Sequence, residues 1–194
     1  MNRRNFIKSA GAIAALGAVA LEQAACTSSG TGRRALKPLH IADTDSNFER
    51  EPLIRPFGFK GGFMTEIWQT AAMLQGASGT RKVGLCTHSV LWSDAAVFEA
   101  HSPAGGNAIM FTMTERALQM IKGQTFESPI HMVESIKDEL WEYGKKIACN
   151  PNMRKTFVLN SLVGVDNAAW LLYAAENGIT KFDDLIPEAY RPSL

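Results

Sequence analysis

The 194-residue sequence predicts an α+β domain in which a three-stranded antiparallel β-meander precedes a bundle of about four helices. Three observations support this fold class. Residues 35–92 contain short strand-forming runs separated by turn signals. After Trp92, apolar residues recur at helical spacing. Residues 156–176 are apolar on almost every side, so we expect them to form a central helix that the rest of the domain covers.

Composition and charge indicate a globular domain without a preference for nucleic acid. Apolar residues make up 46% of the chain and charged residues 20%. The formal net charge is +1, and 17 basic and 18 acidic residues remain when Arg3, Arg4, Lys8 and Glu22 of the N-terminal segment are set aside. With so small a net charge, the domain has no strong electrostatic field that would attract nucleic acid or anionic lipid.

The first 26 residues are predicted to be an export signal and not part of the fold. Arg3 and Arg4 begin a twin-arginine pattern, an apolar run follows at residues 10–21, and small residues precede Cys26. The run is shorter than the roughly 20 residues that a membrane span requires. We therefore expect the twin-arginine machinery, which carries folded proteins, to export this chain to the periplasm.

Processing near Cys26 is left open by the sequence. Cys26 is positioned like the lipid-modified first residue of a bacterial lipoprotein, and residues 27–34 are rich in glycine and serine, as in a flexible tether. Gln23 fits a lipoprotein signal poorly, so simple cleavage stays open, and so does cleavage after Ala20.

Turn and cap signals divide the remaining chain into elements. We expect strands at residues 36–43, 63–74 and 82–92, with a polar connection at 43–55, a glycine-rich loop at 55–62 and a hairpin turn at 75–80. We expect helices from Ser93-Asp94 to Ala100, at residues 107–122, from Ser128-Pro129 onward and at 156–176, with Asn177-Gly178 as the last cap and a short turn at 182–187.

The sequence contains few of the residue patterns that are typical of catalytic, metal-binding or phosphate-binding sites. Its histidines, at positions 40, 88, 101 and 131, never fall at metal-ligand spacing, and no Cys-x-x-Cys pair occurs. We therefore predict no metal and no cofactor bound by this chain. Cys86 and Cys149 are too few for a disulfide framework, and geometry decides whether they form one bridge. Residues 76–82 have the wrong spacing for a phosphate loop, so we interpret them as a hairpin turn.

Single polar residues within predicted elements are interpreted as structural. Asp166, in the middle of the central helix, is predicted to be a buried hydrogen-bond acceptor and not a catalytic group. His88 and His101 are predicted to be hydrogen-bonded structural residues.

The glycine-rich loop is the strongest candidate for ligand binding. Arg55, Phe57, Phe59 and Lys60 offer two apolar walls and two positive charges, a combination that suits closure over a small anionic ligand. The alternative is an ordinary surface loop whose phenylalanines pack into the core.

Taken together, the sequence resembles the N-terminal capping domain of the enolase superfamily, in its mandelate racemase and muconate-lactonizing branch, over residues 39–187. The resemblance rests on three strands followed by helices, on residues 59–65 leading to 83–85, and on Val-Asp-Asn-Ala-Ala-Trp at 165–170 followed by Phe-Asp-Asp-Leu-Ile-Pro at 182–187. The chain departs from the family where Leu171 replaces an acid and Ile186-Pro187 replaces a leucine-glycine end.

The resemblance implies a division of labour between two domains. In this family a (β/α)₈ barrel holds Mg²⁺ and the bases that remove a proton next to a carboxylate, while the cap selects the substrate with two loops. By position, those loops are residues 55–65 and 89–106. The cap would span residues 35–187 and residues 188–194 would begin a linker, leaving no room for a barrel of about 200 residues.

Two functions are therefore expected from the sequence. The first is the substrate-selecting cap of an exported racemase-like or epimerase-like enzyme, which has a small carboxylate substrate and is inactive without its barrel. The alternative is a stand-alone periplasmic binding or interaction module with the same fold. A small metalloenzyme would need a ligand cluster that the sequence does not contain.

Overall fold

The computed structural model describes residues 36–59, 62–186, 190 and 192. The elements in order are β1 (Leu39–His40), β2 (Asp43–Phe59), β3 (Gly62–Gln75), β4 (Arg81–His88), α1 (Val90–Ser93), α2 (Ala95–Ala100), α3 (Pro103–Ile121), β5 (Thr125–Phe126), α4 (Pro129–Ile147), α5 (Lys155–Asn177) and α6 (Phe182–Leu185). The predicted α+β class is confirmed. The signal, the tether and Cys26 lie outside the described residues.

The main sheet is an antiparallel meander in the order β2-β3-β4. β2 and β3 pair continuously from Asp43 opposite Gln75 to Pro52 opposite Glu66, and pairing resumes with Phe57 opposite Met64 after a register shift. The predicted hairpin of the second and third strands is confirmed, except that β4 ends at His88, where α1 follows.

The first strand of this meander is not the one that the sequence predicts. The predicted strand at residues 36–43 is reduced to β1, which pairs with β5 in a separate two-stranded sheet. The predicted connection at 43–55 and most of the predicted loop at 55–62 instead form β2. The error has a physical cause, since aspartate, asparagine and proline are rare in strands and this segment contains all three.

Side chains of β2 block part of the outer edge of this strand. Thr44, Ser46 and Phe48 each donate their backbone N–H to the side-chain oxygen of the preceding aspartate or asparagine, at 2.8–2.9 Å. An N–H bound in this way is not open to a strand from another chain. Pro52 and Pro56, farther along β2, have no N–H to offer.

Side-chain caps set the helix boundaries. Asp94 caps α2 by accepting the backbone N–H groups of Ala96 and Val97. Ser128 caps α4 by accepting from His131, as predicted, and Gly178 ends α5 in the left-handed conformation, with φ 65°. The second predicted helix begins earlier than expected, because Ser102 caps it and proline occupies its first position, so residues 104–106 belong to α3.

The central helix predicted at residues 156–176 is α5, and it packs on β3, β4, α3 and α4. Phe157, Val165, Ala168, Ala169 and Leu172 are fully buried along it. Among the described residues, α5 is the one helix that is long and apolar enough to cross a membrane, but more than half of its apolar stretch is buried inside the domain. That burial is what a core helix requires.

The closest approach between the sheet and α5 occurs at two glycines. A β-carbon on Gly84 of β4 would lie 2.0 Å from the carbonyl oxygen of Gly164 and 2.4 Å from the backbone nitrogen of Ala168. Both neighbouring atoms belong to the backbone of α5, so neither can rotate away. The helix can therefore reach β4 only because residue 84 has no side chain.

Gly84→Ala should destabilise the domain by about 3 kcal/mol or more, at the upper end of overpacking costs. Gly164→Ala is the matched control, because a β-carbon there lies 3.5 Å from the β-carbon of Cys86, which is ordinary contact. Alanine in the middle of a helix also gains up to about 1 kcal/mol over glycine. Urea unfolding of both variants checks this, and equal loss of stability in the two would contradict it.

Candidate functional site

The predicted glycine-rich loop is the end of the β2–β3 hairpin. Phe57 and Phe59 belong to β2, where Phe57 lies opposite Met64 and Phe59 opposite Gly62. Side chains alternate between the two faces of a strand, so the two phenylalanines share one face. The prediction of a loop here is wrong for Arg55, Phe57 and Phe59, which lie in a strand, and Lys60 lies outside the described residues.

A third aromatic ring, from α1, completes the cluster at this hairpin end. The indole of Trp92 stacks on Phe59 with ring centroids 4.1 Å apart and lies 6.1 Å from Phe57, while the two phenylalanine rings are 6.4 Å apart. Trp92 remains 53% exposed and Phe57 43% exposed. We call Phe57, Phe59 and Trp92 the ring platform.

The ring platform rests on a packed floor. A β-carbon on Gly62 would lie 2.7 Å from the ring of Phe98 and 3.3 Å from Leu91, and both of these side chains are buried. Met64, opposite Phe57, is buried as well. The platform is therefore fixed by the core beneath it.

The segment that carries Trp92 is anchored to the start of α5. The carboxylate of Asp94 accepts the N–H groups that cap α2 and also the backbone N–H of Arg154, at 2.8 Å. The hydroxyl of Thr156 donates to the carbonyl oxygen of Ser93, at 2.6 Å. These bonds hold α1 and α2 against α5, so the central helix determines where Trp92 lies.

The two segments that the resemblance assigns to substrate selection meet at the ring platform. Residues 55–65 contribute Phe57 and Phe59, and residues 89–106 contribute Trp92. We did not predict Trp92 as a site residue from the sequence, although the sequence places it between a predicted strand and a predicted capped helix. Arg55 is exposed on the same strand, two residues before Phe57.

Asp166 lies on a different part of the surface. It lines a groove of about 350 Å³ between α4 and α5 together with Ile130, Val133, Glu134, Leu159, Leu162, Val163 and Trp170. Burial raises the pKa of this carboxyl, and a hydrogen bond with Trp170 partly opposes the rise. Asp166 is thus a hydrogen-bond acceptor, as predicted, but it is only half-buried and its partner is a side chain of its own helix.

His88 is buried on β4, as a structural residue would be. Its Nε2 lies 3.3 Å from the hydroxyl oxygen of Thr114, and that hydroxyl donates to the carbonyl oxygen of Ser161 at 2.7 Å. We infer that Nε2 carries the proton, so Nδ1, which has no partner among the described atoms, has only a lone pair. Burial lowers the pKa of His88 to about 4. His101 likewise bonds backbone, with Nε2 3.3 Å from the carbonyl oxygen of Ala148.

The cysteines and acidic groups add no further reactive centre among the described residues. Cys86 is a buried free thiol and Cys149 an exposed one, so the bridge that the sequence left open is not formed. Burial raises the pKa of the Cys86 thiol. Within the described ranges, no three histidine, cysteine, aspartate or glutamate side chains come together as metal ligands.

Comparison with known proteins identifies the start of the chain. Residues 1–20 match the family model of the twin-arginine translocation pathway signal sequence. The predicted export signal is thereby confirmed. No curated protein sequence matches this chain.

Solved structures with a similar fold are larger enzymes. They include a mandelate racemase/muconate lactonizing protein from Herpetosiphon aurantiacus, with 16% identity over 72% of this chain and 32% of that one, at a TM-score of 0.40. A dipeptide epimerase from Enterococcus faecalis, complexed with Mg and L-Leu-L-Tyr, has 14% identity over 71% and 32%, at 0.42. L-Talarate dehydratase from a Polaromonas species, complexed with Mg and L-glucarate, has 18% identity over 72% and 33%, at 0.45. This chain spans about a third of their length.

The domain should lose stability as the pH falls from 6.5 toward 4. The folded state keeps His88 neutral down to pH about 4, whereas in the unfolded chain it takes up a proton near pH 6.5, so acid favours unfolding. The loss reaches at most about 3 kcal/mol at pH 4.

Urea unfolding at pH 7, 5.5 and 4.5 tests this effect in the wild type and in His88→Gln, which retains an amide N–H for Thr114. Carboxylates titrate in both proteins. Only the difference between the two proteins in how the free energy of unfolding changes with pH therefore reports on His88. Parallel curves would show that His88 does not titrate as described.

Proposed function

We propose that this chain is the substrate-selecting cap domain of an exported enzyme that removes a proton next to a carboxylate, as in the mandelate racemase branch of the enolase superfamily. The observation that supports it best is the stacking of Phe59 on Trp92 at 4.1 Å. These rings come from the two segments that the sequence resemblance assigns to substrate selection. Chemistry would be performed by a (β/α)₈ barrel, and the ring platform would face its substrate.

The metal of such an enzyme would belong to the barrel and not to this chain. Mg²⁺ prefers carboxylate and other oxygen ligands in octahedral geometry. The described part of this chain gathers no three side chains that could act as metal ligands, so its residues do not fit a Mg²⁺ site. The role of the cap would be to bind and orient the substrate and to exclude water.

An apolar surface on α5 supports the proposal of a further protein body. Leu159, Val163 and Leu171 are exposed along the outer face of α5, and Leu85 of β4 is exposed as well. Val83, Leu85, Asn167, Trp170 and Leu171 line a shallow depression between the strand and the helix. Trp170 also lines the α4–α5 groove that contains Leu159 and Val163, so the two apolar areas adjoin at this residue. Large exposed apolar areas usually mark a contact with another protein. Under this proposal, that protein is the barrel.

The mature chain would act in the periplasm. The twin-arginine signal supports export. We propose that Cys26 becomes the acylated first residue if a lipoprotein peptidase processes the signal. The intact mass of the mature protein distinguishes acylation at Cys26 from simple cleavage.

A stand-alone binding module is the second candidate. The exposure of Trp92 favours this candidate, because half of its large aromatic side chain is accessible to a ligand in this chain alone. A module of this kind would bind its ligand with no turnover.

Activity measurements test the proposed function. The purified chain, incubated with Mg²⁺ in D₂O, should exchange no α-proton of small carboxylates such as 2-hydroxy acids, dipeptides and sugar acids. NMR detects the exchange. Adding a barrel encoded directly downstream of codon 194 should produce exchange. Turnover by the chain alone, or downstream DNA that encodes no barrel, would overturn the proposal.

The apolar surface predicts self-association of the isolated chain. Leu159→Gln combined with Leu171→Gln should reduce the dimer and larger species severalfold in sedimentation velocity, because both side chains are about half exposed. Ile54→Gln, at a fully exposed apolar residue of β2, serves as the control and should leave association unchanged. Equal effects of the two changes would refute a role for the α5 surface.

A further inference from the structure

We propose that the ring platform binds the planar apolar group of a carboxylate ligand, so that this chain selects aromatic acids over polyhydroxylated ones. The inference rests on the proposed function, because it names the substrate class for the same hairpin end. It adds Trp92 as the residue that determines specificity.

The geometry of the three rings favours a further stacked ring. The planes of Phe57, Phe59 and Trp92 differ by only 22–29°. Other aromatic pairs in the domain range from stacked, as in Phe48 with Trp68 at 7°, to edge to face, as in Trp170 with Tyr173 at 84°. Nearly parallel rings present a flat surface, and offset stacking is a preferred geometry for aromatic groups. A planar ligand group can extend this stack.

The platform is open and already organised. Trp92 and Phe57 are each about half exposed, while Leu91, Phe98 and Met64 beneath them are buried. The missing β-carbon at Gly62 lets the hairpin lie directly on Phe98. A surface fixed in this way loses little conformational entropy when a ligand binds.

Arg55, two residues before Phe57, adds a positive charge to the strand that carries two of the three platform rings. Arg55 is exposed and has no ion-pair partner among the described residues. A guanidinium matches a carboxylate in two parallel hydrogen bonds. Three aromatic side chains offer nothing to a row of hydroxyl groups except the indole N–H of Trp92. The chemistry therefore favours a carboxylate with an aromatic ring.

A matched pair of 2-hydroxy acids tests the proposal on the complete chain. 3-Phenyllactate and gluconate both carry one carboxylate and a neighbouring hydroxyl. The rest of the molecule is a phenyl ring in 3-phenyllactate and a chain of hydroxyl groups in gluconate. Saturation-transfer NMR titrations should give a dissociation constant for 3-phenyllactate at least tenfold lower than for gluconate. Equal affinities, or tighter gluconate binding, would overturn the proposal.

Variants on the two faces of the hairpin distinguish binding at the ring platform from nonspecific hydrophobic binding. Trp92→Ala should weaken 3-phenyllactate binding at least tenfold, and Phe57→Ala should weaken it by a smaller factor. Phe63→Ala is the matched control, because Phe63 is an exposed phenylalanine of the same hairpin that covers Gly58 on the opposite face. It should leave binding unchanged. Equal losses in Trp92→Ala and Phe63→Ala would refute the assignment.

The outcome is independent of the test for proton exchange. Ring-dependent binding without any downstream barrel would support the platform and the binding module, while refuting the cap of an enzyme. Exchange of sugar acids but not of aromatic acids by the chain with its barrel would support the cap and refute the platform. Circular dichroism of each variant confirms that it is folded, as expected for a change at an exposed side chain.

Discussion

The approach of α5 to β4 at Gly84 is the constraint on which the rest of this domain depends. The helix backbone lies where a side chain of residue 84 would otherwise be, so the sheet and the helix touch backbone to backbone. Asn167, one residue before Ala168 in this contact, donates its amide to the carbonyl oxygen of Leu85 at 3.0 Å. That bond occupies an outward carbonyl of β4, which is an edge strand. This one contact region thus determines both how close α5 lies to the sheet and how the helix is oriented on it.

The same contact reaches the candidate site through the first residues of α5. Arg154 and Thr156 bond to Asp94 and Ser93, which directly follow Trp92 in the chain. The ring platform is therefore positioned by the central helix on one side and by the hairpin on the other. Two elements that are distant in sequence become one rigid surface, as a specificity determinant requires.

The residues of the family signature explain why it indicated a fold and no particular substrate. Val165, Ala168 and Ala169 are fully buried, and Ala168 contacts Gly84. The signature thus describes the small and apolar residues that let a helix lie on a sheet. Asp166 and Trp170, its polar and aromatic members, bond to each other in the groove between α4 and α5, which contains no residue of the ring platform. Substrate selection would be determined elsewhere in the chain.

Helices could be predicted from the sequence because local signals specify them. Ser128 with Pro129 and Asn177 with Gly178 mark boundaries that the structure keeps to within a residue or two. β2 could not be predicted, because its strand conformation depends on pairing with β3 and overrides the turn propensity of its aspartates and prolines. Phe57 and Phe59 were predicted as candidate site residues from the composition of their segment alone. Their partner Trp92 was not, because stacking between segments 33 residues apart depends on tertiary structure.

The partly blocked outer edge of β2 has a consequence for a protein that carries a twin-arginine export signal. If the chain folds before export, as the twin-arginine route would require, it would be a finished domain in the cytoplasm alongside other copies of itself. An open strand of 17 residues would serve as a template on which those copies could assemble. The backbone N–H groups of Thr44, Ser46 and Phe48 donate to the side chains of the residues before them, and two prolines have no N–H, so fewer donors remain for such growth. The residues that concealed this strand in the sequence would therefore keep the folded protein dispersed until it is transported.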